Sequence, residues 1–266
     1  MKAKIFYSKF IEDEIKKLNL IDRIKKKLEV VEKVEDADLC ISLGGDGSVL
    51  YSAQYEVPIL GVSVKKESIG AMCIVDTKNI EDALEKVKNG DYIINERMKI
   101  EAFINHKYFC EVLNDFYLFR NPFFDETIRY KVKSNGINFE DKADGVIVCT
   151  SMGLTAYNRS ALLGKIFQNN NATIDEILND KIMAITPICS TLMEKQRVIN
   201  TNSNVQIKAL RCNEAIFKGD GINKIKVKVG DEITIKKSKN TVEFVVPFGY
   251  KIPQQEILEN ILKTME

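Results

Sequence analysis

Leu39-Cys40-Ile41-Ser42-Leu43-Gly44-Gly45-Asp46-Gly47-Ser48 joins an apolar run to a glycine-rich turn that holds a single carboxylate. The apolar run predicts a strand buried on both faces, as in a parallel sheet. The glycines let backbone approach a bulky charged group without side-chain interference. Ser48 is placed to cap a helix over 49–54, whose free N–H groups would face a phosphate. Asp46 then sits beyond a strand's carboxyl end, where open α/β sheets bind ligands. A phosphate cradle with an acid in it implies phosphoryl transfer to a hydroxyl. The same residues also make an ordinary tight turn, so the segment alone leaves both meanings open. It is neither a P-loop nor a dinucleotide loop: the G-x-x-x-x-G-K-[ST] spacing is absent, and Leu50 stands where G-x-G-x-x-G needs its last glycine.

Outward from this turn, the chain is bounded by ordinary composition. Its 266 residues can bury a substantial core in one large or two modest domains. Hydrophobic residues make up 45% and charged residues 29%, the balance of a soluble globular protein. A net charge of +1 supplies no field that would select nucleic acid or an anionic membrane. Lys25-Lys26-Lys27 reads as a solvated helix face. The six cysteines form no CxxC pair and several fall inside apolar runs, which argues for a reducing compartment and against a disulfide framework or a zinc site. His106 is the only histidine and falls in a predicted hairpin turn, so Ser-His-Asp and Cys-His mechanisms are disfavoured. With no apolar stretch near 18 residues and no signal-peptide pattern, the protein is expected to be cytoplasmic, without membrane or nucleic-acid partners.

Strand and helix signals alternate through the first ninety residues: strands over 2–7, 37–43 and 58–62, and helices over 10–28 and 79–87. Asn79 is the expected cap of the second helix and Gly90 its end. This alternation predicts an α/β domain over 1–92. From Asp91 the texture changes to short β-branched runs, read as strands at 100–104, 108–119, 128–132, 145–149, 205–210, 224–229, 232–235 and 242–246. They predict an all-β domain over 93–251, interrupted by a helical patch at 155–163. A closing helix within 252–266 is expected to pack back on the first domain. Asn169-Asn170-Asn171 reads as a loop.

Three further segments carry polar groups at strand ends. Leu113-Asn114-Asp115 closes an apolar run with an amide beside a carboxylate, a pair able to hydrogen-bond ribose or adenine. Asp144-Gly145-Val146-Ile147-Val148-Cys149-Thr150-Ser151-Met152-Gly153-Leu154-Thr155-Ala156-Tyr157 is a buried strand running into a Gly/Thr turn and a helix, where an aromatic ring and a sugar would fit. Phe217-Lys218-Gly219-Asp220-Gly221 sets another acid in a glycine turn, whose plain meaning is a hairpin.

Taken in order, these segments resemble the NAD kinase family over most of the chain. Gly44 to Ser48 looks like its GGDG[ST] motif, shared with diacylglycerol and sphingosine kinases. Asn114-Asp115 falls where the family has Asn-Glu, and Asp144 to Tyr157 is similar to its DG-x-I-V-x-T-P-x-G-S-T-A-Y stretch, with Ser160-Ala161 at the expected distance. Glu96-Arg97-Met98, Thr186-Pro187-Ile188-Cys189 and Gly219-Asp220-Gly221 also match in place.

The resemblance implies a Rossmann-like α/β domain and a β-sandwich domain with the active site between them. It implies ATP-dependent phosphorylation of the adenosine ribose 2′-hydroxyl of NAD, a divalent metal such as Mg2+, and a homo-oligomer. Asp46 would be the general base, and Gly45, Gly47 and Ser48 would contact phosphates. Asn114 and Asp115 would hold adenosine. Thr155, Ala156, Tyr157 and Ser160 would line the NAD pocket, with Asp144 toward nicotinamide and Asp220 a second acid near the reacting centre. The departures are Asp115 for glutamate, Ser63 for asparagine, Ala71 for an aromatic after Gly70, Ser151 and Leu154 for the proline and serine before Thr155, Leu162 and Leu163 for a glycine pair, and the loss of an expected Pro-His in the region after Thr186-Pro187. They leave two rivals: a kinase of the same superfamily with another hydroxyl acceptor (nucleoside, sugar or lipid), and a non-catalytic nucleotide sensor.

Overall fold

The computed structural model describes residues 1–64, 70–161 and 173–263. Leu162, Leu163 and the Asn169–Asn171 stretch, each singled out in the sequence, lie outside them. The chain divides into two compact units, 1–97 with 241–257, and 98–240 with 258–266.

The first unit is built on parallel strands β1 (Lys2–Tyr7), β2 (Glu29–Val30), β3 (Leu39–Gly44), β4 (Ile59–Ser63) and β5 (Val75–Asp76). Their spatial order is β2-β1-β3-β4-β5. Every residue of β3 is buried, as the continuous apolar run requires when helices cover both faces. Between the strands lie α1 (Glu12–Lys17), α2 (Leu20–Lys25), α3 (Asp46–Ser52) and α4 (Ile80–Asn89). The single helix predicted over 10–28 is therefore two short ones. Asn19 turns left-handed between them, with φ 51°, a conformation that asparagine tolerates. In α4 the buried positions Ile80, Ala83, Leu84 and Val87 follow the helical period, and Gly90 ends the helix at φ 83°. Asn79 holds the N-cap position, as expected, but its side chain accepts no helix amide. Asp76 accepts the amides of Lys78 and Asn79 at 2.8 and 3.0 Å, which ties down the turn ahead of the helix.

The second unit follows through β6 (Tyr92–Ile104), whose first residues still belong to unit one, then β7 (Lys107–Val112), β8 (Asp115–Phe119), β9 (Ile128–Ser134), β10 (Ile137–Ala143) and β11 (Gly145–Thr150). After α5 (Tyr157–Ala161) and α6 (Ile174–Leu178) come β12 (Ile182–Ile188), β13 (Arg197–Asn200), β14 (Val205–Arg211), β15 (Ala215–Gly219), β16 (Asn223–Val227) and β17 (Glu232–Pro247). One antiparallel sheet runs β13-β12-β11-β8-β15-β16. A second pairs β10, β9, β14 and the first part of β17. Their facing sides share one core in which Phe116 stacks on Phe217 at 5.2 Å and Tyr130 is fully buried. The run predicted as one strand over 108–119 is broken at Leu113-Asn114, and the two predicted between 232 and 246 are the single β17. From Thr241 that strand belongs to the first unit, where Phe244 pairs in parallel with Ile59 of β4. The closing helix α7 (Gln254–Lys263) follows.

Candidate active site

In the first unit the glycine turn lies at the carboxyl end of β3. Gly44 has φ 145°, and a Cβ there would collide with the Ser48 hydroxyl, so glycine is obligatory. The helix starts earlier than expected, at Asp46, with Gly45 as its N-cap. Ser48 is thus inside the first turn and caps nothing, because its hydroxyl is packed against Gly44.

The Asp46 carboxylate is held from a loop that the sequence did not assign to it. Ala71 N–H donates to Oδ2 at 2.8 Å and Met72 N–H to Oδ1 at 3.0 Å. Burial raises the Asp46 carboxyl above its ordinary value, and the two amides pull it partly back. Gly70 completes the clamp: a Cβ there would stand 3.3 Å from Asp46 Oδ1. The result is an oriented acid that is a better base than a surface aspartate.

In the second unit Asp115 opens β8 on the face away from the shared core, followed on the same face by Tyr117. Asp115 is 4% exposed, and burial together with the charge of Asp220 pushes its carboxyl up to about 8. Asp220 follows β15 in a left-handed turn and directs its carboxylate onto three consecutive backbone amides, Leu113, Asn114 and Asp115, at 2.9, 2.9 and 3.0 Å. Its charge is thus engaged in shaping the Asn114-Asp115 corner. Thr150 grips the same corner from β11, its amide reaching Asn114 O at 2.8 Å and its hydroxyl Leu113 O at 2.6 Å. Asn114 Oδ1 is buried without a hydrogen-bond partner among the described residues.

Tyr157, at the start of α5, is 43% exposed and lies 5.4 Å ring to ring from Tyr117. Its hydroxyl is raised by burial and then by Asp115, with smaller effects from Cys189 and Asp144, which groups these side chains. Lys218 sits 5.6 Å over the Tyr117 ring. Asp144, just before β11, is ion-paired to Arg120 at 2.8 Å. Thr155 and Ala156 lie half-buried in the turn before α5, where the Thr155 hydroxyl donates to Met152 O, and Ser160 is exposed on α5. Asn114, Asp115, Tyr157 and Asp220 are therefore grouped, whereas Ser160 has no described link to them. Tyr117, Lys218 and Thr150 were missed. For Tyr117 the strand period from Asp115 was a usable signal.

A carboxylate clamped in a glycine turn beyond a parallel sheet, with phosphate-sized room beside the glycines, defines a class: kinases that phosphorylate an alcohol. Comparison with known proteins narrows it. The family model for the ATP-NAD kinase C-terminal domain matches residues 114–246. The chain is 32% identical over 222 residues to an NAD kinase from Natranaerobius thermophilus, covering 79% of this chain and 73% of that protein. Its fold is similar to a yeast NADH kinase complexed with NADH (TM-score 0.74, 18% identity, 94% of this chain and 84% of that one). It is also similar to an NAD kinase from Archaeoglobus fulgidus in complex with ATP (TM-score 0.71, 20% identity, 98% and 99%). The chain belongs to the NAD kinase family and is a phosphotransferase. Among the described residues, no helix is long and apolar enough to cross a membrane.

Proposed function

We propose that this chain transfers the γ-phosphoryl group of ATP to the adenosine ribose 2′-hydroxyl of NAD, giving NADP and ADP. The observation that carries the reading is the Asp46 carboxylate, oriented by the Ala71 and Met72 amides and raised by burial. Asp46 takes the proton of the 2′-hydroxyl as that oxygen forms its bond to the γ-phosphorus. The bridging bond to the β-phosphate breaks, and its electron pair leaves on ADP. Positioned base help of this kind is worth about 10²- to 10⁴-fold. Gly45, Gly47 and Ser48 adjoin the transferring phosphate.

Adenosine is assigned to the second unit's corner. Asn114 Oδ1 is suited to accept from the adenine amine, and Asp115, which carries a proton at pH 7, donates to a ribose or adenine acceptor. Tyr157 and Tyr117 offer ring faces, Thr155 and Ala156 the pocket wall, and Asp144 the nicotinamide end. Asp220 acts through the backbone it holds. No group of three or more His, Cys, Asp or Glu among the described residues is placed to hold a metal ion. In this reading the divalent ion arrives with ATP, as Mg2+ usually needs few protein ligands beside phosphates. Cytoplasmic residence is supported by the six free cysteines. The homo-oligomer rests on the family resemblance and is read by light scattering.

The test supplies ATP, Mg2+ and NAD+ and follows NADP+ with an NADP-specific dehydrogenase. Wild type forms NADP+, and Asp46→Asn loses kcat by about 10²- to 10⁴-fold while binding NAD normally. An Asp46→Asn variant as fast as wild type would overturn the reading.

A further inference from the structure

A cavity of about 720 Å³ opens within the first unit beside the glycine turn, lined by Gly45, Gly47 and Ser48 and by the rings of Phe6 and Tyr51. Its volume is that of a site for a whole small molecule. A chain of three phosphates would fill only part of it.

Two features of the lining are unexplained by the fold. Gly47 is required neither by backbone conformation nor by packing: its φ is not in the left-handed region, and an added Cβ would meet nothing within 4 Å. The missing side chain therefore leaves room in the cavity rather than relieving a contact. Next, Phe6, Tyr51 and Tyr55 form an aromatic group beside the turn. Phe6 stacks on Tyr55 at 5.2 Å and 14°, and Tyr51 meets Phe6 edge-on at 5.7 Å. Tyr51 is nevertheless 48% exposed. Phe6 and Tyr55 are half-buried beneath it, and an exposed ring so backed on a cavity wall suits a flat apolar occupant.

We propose that this cavity is the phosphoryl-donor site and that Tyr51, backed by Phe6, holds the nucleobase, so that the chain selects nucleoside triphosphates over inorganic polyphosphate. The inference rests on the kinase reading and extends it to the choice of donor. The chemistry is the same for both donors. The acceptor oxygen bonds to the terminal phosphorus, the bridging P–O bond breaks, and ADP leaves from ATP or pyrophosphate from tripolyphosphate, with the acceptor proton passing to Asp46. Only the base distinguishes them, and a base stacked on one aromatic ring is worth about tenfold to a hundredfold in affinity.

The experiment compares Mg-ATP and Mg-tripolyphosphate as donors to NAD+ with wild type, Tyr51→Ala and Tyr51→Leu. The leucine variant keeps apolar bulk in case alanine impairs folding. The expected result is a rise in KM for ATP of about tenfold to a hundredfold in both variants. Tripolyphosphate should keep its kcat/KM or, where it is no donor, its inhibition constant against ATP. Parallel losses for both donors, or an unchanged KM for ATP, would overturn the proposal. If wild type forms no NADP+ from either donor, the kinase reading has failed. Equilibrium dialysis of labelled ATP with NAD+ present then decides the cavity separately: binding weakened at least tenfold in the variants sustains it, and equal binding refutes it.

Discussion

Replacing Asp115 by asparagine should change how the stability of this protein depends on pH. In the folded chain burial and the charge of Asp220 raise the Asp115 carboxyl from 3.8 to about 8. Between those values the folded state holds a proton that the unfolded state has released. Stability from this group is therefore fully present below about pH 4 and is lost as pH rises toward 8. The slope is at most about 1.4 kcal/mol per pH unit, and over some four units the loss is at most about 6 kcal/mol. That is comparable with the whole stability of many domains.

Asp46 and Asp220 are also raised by burial, but both proteins carry them, so the difference between the two profiles reports Asp115. His106 is the only histidine, and the thiols of Cys40, Cys73 and Cys110, pushed by burial to about 12, matter only above the ordinary thiol range. Asparagine at 115 is neutral at every pH, so wild type should weaken from pH 5 to 8 more steeply than the variant. With no tryptophan in the chain, urea unfolding is followed by far-ultraviolet circular dichroism for both proteins at each pH. The variant's advantage should grow steadily with pH. Profiles that stay parallel within about 1 kcal/mol across this range would refute a buried, protonated Asp115.

Three other outcomes follow from the same geometry. Asp220→Asn keeps one oxygen for the Asn114 and Asp115 amides but turns an NH2 toward Leu113 N–H. It should cost about 1–3 kcal/mol in unfolding free energy and lower the apparent pKa of Asp115 in the same titration. Gly153→Ala would press a Cβ onto the Asn114 carbonyl, 2.8 Å from its carbon, so isothermal calorimetry should show weakened NAD binding along with a loss of about 1–3 kcal/mol in stability. Ala71→Pro removes one of the two amides on Asp46, whereas Ala71→Gly keeps it. The proline variant alone should move the acidic limb of the kcat profile to higher pH, since that hydrogen bond lowers the Asp46 carboxyl.

Much of the architecture was legible because its signals are local. The unbroken apolar run of β3, the helical period of α4 and the Asn105-His106 turn need only neighbouring residues to be read. The misses have physical causes. Ile137–Ala143 contains four charged or amide side chains, Asn138, Glu140, Asp141 and Lys142, which mask a strand whose Asp141 is buried under Tyr130 and Ser190. Arg197–Asn200 is too short to show a period. The cap of α3 was misplaced, and Asn79 caps α4 by position without a side-chain hydrogen bond, because capping depends on dihedral angles that residue type does not fix. In the site, Asp46 and Asp115 were visible as acids at strand ends. Their settings were not, because the groups that tune them are backbone amides 25 and 26 residues away for Asp46 and an aspartate 105 residues away for Asp115.

The same distinction explains why the departures from the family pattern leave the chemistry standing. Ala71 lacks the usual aromatic ring, yet what it gives Asp46 is an N–H, which any residue except proline supplies. Shortening the acid at 115 keeps the carboxyl on a corner that Asp220 and Thr150 fix through main-chain atoms. Side chains at such positions can drift while the backbone they belong to stays constrained. The residues with least freedom are Gly44, held at its positive φ, and two where backbone meets backbone: Gly61, with Met72 O 2.5 Å from where a Cβ would stand, and Gly153 against Asn114. Gly61 lets the Met72 backbone, whose amide holds Asp46, close against β4, and Gly153 lets the Asn114-Asp115 corner pack, so the setting of each acid depends on a glycine remote from it in sequence.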